Sequence, residues 1–589
     1  MTRRRGRPMD LRLRVRGWLE IRTPLHVGGI ARDPADALPV AVDGQGRVYV
    51  PGTGLAGALR GWMRGVPDAE DPLRELWGFS AEPGDEQTPR NDGSRVLSAA
   101  DPQRNGQAPH TGPMPGWDDD LNDGQASRVV IRDAVIATST RTDADGLPAD
   151  PLAPASLPVR HGVGIDRVTG AAATEFLYAR TVVPPGHYLR LELDIETIAK
   201  HQDRDRARLH ALLSALSSEQ IRLGGARGRG LGVVRLLGSP LAVHEHDFTG
   251  PAGLLALLSG EPTRLEPADL TGSPAELPDR RELLSVRIEW RPAAPVMVRE
   301  GEEGAYVGTL PLTTRASGDT VALALTGGSI KGALRSHAEF IERTARRIDA
   351  PRASVNAPAR EHSRDFLDQL DELRAVRALF GTARTSPNPG DERPLGAGAL
   401  IAEECVSRTR LPADLWDLVL QGPSDDEQAA SEKSSGEERW TPRSDEGGRR
   451  PLSLPPAVRE RLSALGLDQA EHVAIDRWTG GAADKLLFSV LEPHDVEWEP
   501  IRLTVDLTRL GPDRDVALAL LLLVLRDLRH GLIRLGGMVN RGFGDVEVDS
   551  IVLTGGAWPD GTALEDALRP SDETCTALEE AWFTYLDSR

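Results

Sequence analysis

Residues 221–234 read IRLGGARGRGLGVV, and residues 533–546 read IRLGGMVNRGFGDV. Laid together without gaps they share IRLGG, and Arg229 falls on Arg541, Gly230 on Gly542, Gly232 on Gly544 and Val234 on Val546. Glycine accepts positive φ and lets a backbone approach other groups closely, while arginine among glycines adds a fixed planar charge suited to phosphate. One such loop is most often a tight turn between a helix and a strand. Two in matching contexts point to a repeated unit whose loops bind a nucleic-acid backbone.

The repeat extends outward from the loops. LAGALR at 55–60 matches IKGALR at 330–335, LWG at 76–78 matches LFG at 379–381, and IDRVTGAA from 165 matches IDRWTGGAA from 475. The separation grows in order, from 275 residues at 55/330 to 303 at 76/379, 310 at 165/475 and 312 at 221/533. Two homologous domains in tandem, differing by loop insertions, account for this. The boundaries read as 1–240 for the first domain, 241–281 for its end and a linker, and 282–589 for the second, with an acidic insert near 421–450 whose composition fits disorder. A chain of 589 residues is too long for one core and suits two.

Within each unit the pattern alternates between sheet and helix. Leu11–Ile21 (LRLRVRGWLEI) has the two-residue period of a half-buried strand with one cationic face. Pro51 and Gly52 then break a strand, Thr53 is placed to cap a helix, and Leu55, Leu59 and Trp62 sit at helical spacing. Residues 127–136 read as one strand, 176–195 as a hairpin, and 203–218 as the helix that delivers the chain to the glycine loop. Strand, helix, strands, helix, strand is the α+β, ferredoxin-like order of the RNA-recognition motif.

Composition sets limits. Cys405 and Cys575 are the only cysteines, so neither a disulfide framework nor a cysteine zinc site is supported, and a reducing cytoplasm is the simplest compartment. The longest apolar run, residues 516–525, is too short to span a bilayer, and no secretory signal follows the basic start. The net charge of −19 runs against the basic footprint expected of a nucleic-acid binder. Acid is concentrated in the inserts at 117–123 and 424–446, however, and arginine at 3–16 and around the glycine loops.

In this order, HVGG, DALPVAVDGQGRVYVPGTGLAGALR, SRVVIRDA, HGVGIDRVTGAA and IRLGGARGRGLG resemble the RAMP superfamily of CRISPR systems, and more narrowly two fused copies of the backbone subunit of type III effector complexes. SIKGALR, VAIDRWTGGAA and IRLGGMVNRGFG carry the second half of the resemblance. It implies RNA-recognition-type palms with inserted thumb loops, and subunits lined along a guide CRISPR RNA. Its implied partners are a complementary target RNA and other type III subunits, including the large polymerase-domain subunit. It also implies target cleavage with a divalent metal, magnesium or manganese, by an acid in the loop after the first strand. Asp36 matches that acid, with Asp33 and Asp43 as alternatives, because two residues rather than one separate Asp36 from Pro39.

Cleavage of RNA by its own 2′-hydroxyl needs charge stabilisation and a proton acceptor, which a carboxylate supplies directly or through a metal. Equally, an aspartate before a turn is ordinary turn chemistry. The expected RNA contacts in the first copy are His26, Gly28, Gly29, Thr53, Arg60, Arg167, Gly224, Gly225, Arg227 and Arg229. In the second they are Ser329, Lys331, Arg335, Arg477, Gly536, Gly537, Asn540 and Arg541. His26 and His161 admit an acid–base role or plain packing, and Asp166–Arg167 and Asp476–Arg477 admit a local ion pair instead of RNA. With Pro39 laid on Pro311, Asp36 faces Gly308 and Asp43 faces Arg315; with Pro24 laid on Pro295, Gly28 and Gly29 face Arg299 and Glu300. The second copy has then lost the acid, leaving Glu300, Glu302 and Glu303 as its nearby carboxylates. Two other functions stay open: a backbone that binds guide without cutting, and a guide-processing endoribonuclease, which would need a histidine near the first helix.

Overall fold

Alternation in Leu11–Ile21 sends Leu13, Val15, Leu19 and Ile21 to one face, where all four are buried. The computed structural model describes residues 8–30, 37–65, 74–79, 125–260, 262–266, 270, 280–354, 356–371, 373–382, 396–422 and 454–588. Within them this strand pairs antiparallel with Tyr188–Thr197 on one side and Ala242–Asp247 on the other. The first sheet runs Thr263–Leu265, Ala242–Asp247, Leu11–Ile21, Tyr188–Thr197, Ala134–Ala137, Tyr49–Val50. In chain order its central strands lie fourth, first, third, second, which is the ferredoxin-like arrangement.

Two helices cover the apolar face. Gly52–Arg64 buries Leu55, Leu59 and Met63, and Gln202–Ser217 buries Leu209, Leu212 and Leu216, each residue following the 3.6-residue period. Burying such a side chain contributes about 1.5–3 kcal/mol relative to leaving it in water. The second half repeats the plan in the order Leu400–Ala402, Ile501–Asp506, Leu283–Pro292, Val546–Gly555, Trp558–Ala563. Its helices are Gly327–Arg346 and Arg514–Arg529, and a C-terminal helix, Glu573–Asp587, packs on the latter.

From each half projects a two-stranded hairpin, Val159–Ile165 with Ala172–Thr181 and Leu467–Ile475 with Ala482–Pro493. The ladder slips at the same place in both, between Val163 and Ile165 and between Val473 and Ile475. Three sequence expectations change here. The single strand expected over 127–136 is two, Val129–Ile131 and Ala134–Ala137. The hairpin expected over 176–195 divides between two partners, since Ala172–Thr181 turns back on Val159–Ile165 whereas Tyr188–Thr197 joins the main sheet. The helix cap is Pro51, with Thr53 already inside the first turn. Proline's fixed φ starts the helix there without a side-chain acceptor. Among the described residues no helix is long and apolar enough to cross a membrane, and both cysteines are free.

Candidate nucleic-acid interface

The two glycine loops are built alike, and their backbone is largely occupied. Gly225 N–H donates to the His26 carbonyl (2.8 Å) and Gly232 N–H to Pro24 (2.9 Å); in the second copy Gly537 donates to Met297 (2.8 Å) and Gly544 to Pro295 (2.9 Å). Each loop also closes on itself, through Leu223 N–H to Gly232 (2.8 Å) and Leu535 N–H to Gly544 (2.9 Å). A Cβ at Gly232, whose φ is +85°, would lie 2.0 Å from the Leu223 carbonyl oxygen. Glycine is therefore required at 232 for the close backbone approach that closes the loop on itself, and at Gly224, where a Cβ would lie 2.2 Å from the His26 oxygen, for the approach to the loop after the first strand. The expectation that these N–H groups hold phosphate is corrected for Gly225, Gly232, Gly537 and Gly544, because protein carbonyls take them.

The described residues on either side of the stretch expected to carry the acid share a set of backbone bonds between the two copies. Gly29 N–H donates to Pro39 (2.8 Å), Leu38 N–H to Ala179 (2.9 Å) and Ala41 N–H to Val27 (2.8 Å); the same bonds recur from Glu300 to Leu310 (2.8 Å), Thr309 to Ser489 (2.9 Å) and Leu312 to Val298 (2.7 Å). Leu38 thus corresponds to Thr309, and the pairing of Pro39 with Pro311 shifts by one. Carried along, this register sets Asp36 against Val307 and Asp43 against Thr314, and it keeps Gly29 opposite Glu300. Val307 is 0% exposed in the second core. Asp33 and Asp36 lie outside the described residues. Asp43 is spent on a turn, its Oδ1 accepting from Gln45 and Arg47 N–H (2.9 Å each) and its Oδ2 from Arg47 Nε (2.8 Å). Burial opposes ionisation of that carboxyl, but these bonds win and hold it below the usual carboxylate range.

An arginine stands over a hairpin aromatic in both copies. The Arg229 guanidinium carbon is 5.3 Å from the Tyr178 ring centre, and that of Arg541 is 4.6 Å from Phe488. His472 stacks against Phe488 at 5.3 Å with an 11° interplanar angle. Sequence reasoning missed this pairing, although an aromatic stands 310 residues from another in the matched hairpins.

The two loops differ in surroundings. Gly230 is buried, and a Cβ there would lie 2.7 Å from Glu404 N and 2.9 Å from the Ala402 oxygen. The first loop is thus wedged between its own sheet and the second half, whereas Gly542 is exposed and a Cβ there would meet nothing within 4 Å. The seam is charged: Arg222 bonds Glu403 (2.6 Å), and Arg160 lies 3.8 Å from the buried Glu404. Burial raises the Glu404 and Glu300 carboxyls, with Arg160 opposing in each case. Lys331 Nζ donates to the Leu400 carbonyl (2.5 Å), and burial, with Arg335, Arg229 and Arg509 adding repulsion, pushes its ammonium down to about 7.

Several expected RNA contacts are already engaged. Arg335 bonds Glu339 and the Leu370 carbonyl (2.7 Å each), and Ser329 N–H meets its cap Thr326 (3.2 Å). His26 is buried with Nδ1 2.8 Å from the Thr181 carbonyl, and burial lowers its pKa. Gly301 lies against the His161 ring at the seam. Two arginines of the cationic face expected on the first strand are paired with carboxylates of the neighbouring strand, Arg14 with Asp194 (2.8 Å) and Arg12 with Glu196 (3.4 Å), while Arg16 is exposed. Asp166 and Asp476 each accept from two N–H groups of their hairpin tips (2.7 and 3.0 Å), which fixes the turns. Arg227, Asn540 and Arg541 remain exposed. So do matched apolar positions on the two hairpins, Leu177 at 72% and Leu487 at 67%.

A family model described as the RAMP superfamily matches the chain twice, over residues 18–235 and 322–547. No curated protein matches.

Proposed function

The chain belongs to the RAMP superfamily, a class of CRISPR-associated RNA-binding proteins, and on that footing we propose that it is a guide-RNA-binding backbone subunit of a type III effector complex. Its first domain cleaves the complementary target through Asp36. The observation that carries the RNA-binding half is the arginine set over a hairpin aromatic in both copies, Arg229 with Tyr178 and Arg541 with Phe488. Guanidinium and ring together offer a charge for phosphate and a flat face for a base, the two contacts that hold single-stranded RNA. The opposite face of each hairpin exposes apolar side chains, Leu177 and Leu487.

The cleavage half is supported by the backbone bonds of the residues that flank 31–36. A general base must be held at a fixed distance from the 2′-hydroxyl it deprotonates. The hydrogen bond from Gly29 to Pro39 (2.8 Å) ties together the two ends of the stretch that contains Asp33 and Asp36. A divalent metal, magnesium or manganese, would supply charge stabilisation beside that carboxylate. Asp43 does not fit such an ion, since both of its oxygens serve Arg47 and Gln45. With Val307 in the matching register of the second copy, one chain makes one cut. Incubating the assembled complex with end-labelled complementary RNA and Mg²⁺ or Mn²⁺ tests the reading: discrete scission supports it, and bound but intact target leaves a backbone that only binds.

A further inference from the structure

The strand that carries Tyr178 carries a second arginine two residues on, Arg180, and alternation puts both side chains on one face of the hairpin. The Arg180 guanidinium carbon lies 5.5 Å from the Tyr178 ring centre, against 5.3 Å for Arg229 on the same ring. Gly162 stands opposite Tyr178, and a side chain there would strike the ring, so this glycine lets the tyrosine lie over the neighbouring strand. Among the described residues no carboxylate pairs with the half-buried Arg180, whereas Arg14 and Arg128 each have one. Burial and the charge of Arg229 both lower the Arg180 pKa, and the Arg180 charge in turn adds to the burial that lowers that of His26.

The second half shows how the same place is built without a charge. Leu38 is bridged to Arg180 and Thr309 to Val490; Leu38 exchanges backbone bonds with Ala179 and Thr181, and Thr309 with Ser489 and Leu491, so Val490 stands where Arg180 does. Met297 takes the place of His26, and the matched glycine loops set Met538 on Ala226 and Phe543 on Leu231. Met297, Val490 and Phe543 are buried together, with Phe488 and Met538 packed against them, in a small apolar core. The fold can therefore close this place with hydrophobic side chains. The first half instead keeps a guanidinium there, with smaller side chains at two of the surrounding positions. A charge drawn out of water without a partner is unfavourable, and a planar guanidinium fork suits a phosphate.

We infer that Arg180, set beside Tyr178 in the first half alone, binds a phosphodiester of the target RNA strand, a contact separate from the arginine–aromatic pairs that hold the guide in both halves. Contacts to the guide recur in both copies, whereas this site exists in one, and handling of the target beside Leu38 is the step that the reading above confines to one copy. The inference rests on that reading for the identity of the two strands.

Equilibrium binding of a complementary 2′-fluoro RNA, which has no hydroxyl to attack its own phosphates, to the guide-loaded complex tests it without any need for scission. Arg180→Met weakens target affinity about tenfold. It also lowers the slope of log affinity against log salt by about one, while the guide content of the purified complex is unchanged. Arg180→Lys keeps the charge and retains the slope. Replacing single target phosphates by neutral methylphosphonates locates the contact: at one position for each bound copy of the chain the Arg180→Met loss disappears, and elsewhere it persists. Equal target affinity and slope in a folded Arg180→Met complex would overturn the inference, and so would a loss that persists at every scanned position. Loss of guide together with target would also overturn it, because the phosphate would then be the guide's. A native complex that binds target but leaves natural RNA intact contradicts the cleavage reading alone.

Discussion

The guanidinium carbon of Arg541 stands 4.6 Å from the centre of the Phe488 ring, on a glycine loop whose neighbour Gly542 has open space around it. The matching Arg229 is exposed as well, and its guanidinium also donates to the Tyr178 hydroxyl. The two arginines are alike in exposure and differ in that Arg229 is hydrogen-bonded to its aromatic partner, which a phenylalanine does not allow.

Arg541→Ala is expected to weaken binding of a single-stranded RNA oligonucleotide by about tenfold, the worth of one stacking and charge contact. It should also lower the slope of log affinity against log salt by about one. Arg229→Ala should cost less, because its guanidinium already donates to the Tyr178 hydroxyl. Filter binding at several salt concentrations reads both effects; equal losses, or none from Arg541→Ala, would contradict that difference.

Asp205 is fully buried and accepts from Arg128 Nη1 and Thr197 Oγ1 (2.7 Å each) and from Arg208 (3.3 Å). Removing one member of a buried ion pair costs about 3–5 kcal/mol, because the partner's charge is left without compensation. Asp205→Ala should accordingly move the first domain's denaturation transition to much lower urea while the second domain's transition stays in place. Coincident shifts of both would contradict the placement of this pair within one core.

Lys331 gives stability a pH dependence of defined sign. Its folded pKa is about 7 against an ordinary 10.5, so between those values the unfolded chain binds more protons. Stability must rise with pH across that window; below it the penalty of the buried ammonium is fully present and constant. Lys331→Met should flatten the rise, as read by denaturation at pH 6.5 and pH 9. An unchanged slope would remove Lys331 as its source.

Much of the fold was legible because it was written twice. The repeat order, the alternation of Leu11–Ile21 and the helical spacing of Leu55 and Leu59 predicted paired ferredoxin-like sheets. The glycine loops were recognised as important but misread in mechanism. Their glycines are explained by backbone approach to Pro24, His26, Pro295 and Met297, residues nearly 200 or more positions away, and such contacts leave no local signature. The same holds for the seam. Arg167 and Arg477 share the local pattern IDR, one residue, then TG, and the tertiary partners Glu339 and Gln369 separate their fates. The strand arginines read as a cationic face because the cancelling Asp194 and Glu196 lie on a strand far along the chain.

Asp36→Ala should abolish target scission in the assembled complex while guide and target binding persist, since it removes a charge and leaves both arginine–aromatic pairs intact. Asp33→Ala and Asp43→Ala serve as controls, and Asp43→Ala should also loosen the turn at Arg47. If Asp33→Ala alone abolished cutting, the acid would move within the loop and the domain assignment would stand. Scission surviving in all three and in the triple variant would turn attention to Glu300, Glu302 and Glu303.

The most direct measurement is the RNA carried by the chain itself. Purified at moderate salt from cells expressing its complex, the native protein should bring down small RNAs of defined length with a common repeat-derived end. Arg229→Ala with Arg541→Ala should lose most of that RNA while the fold, checked by circular dichroism, is unchanged. Absence of bound RNA from the native complex, or undiminished RNA in a folded double variant, would contradict the assignment of this chain as a guide-binding backbone.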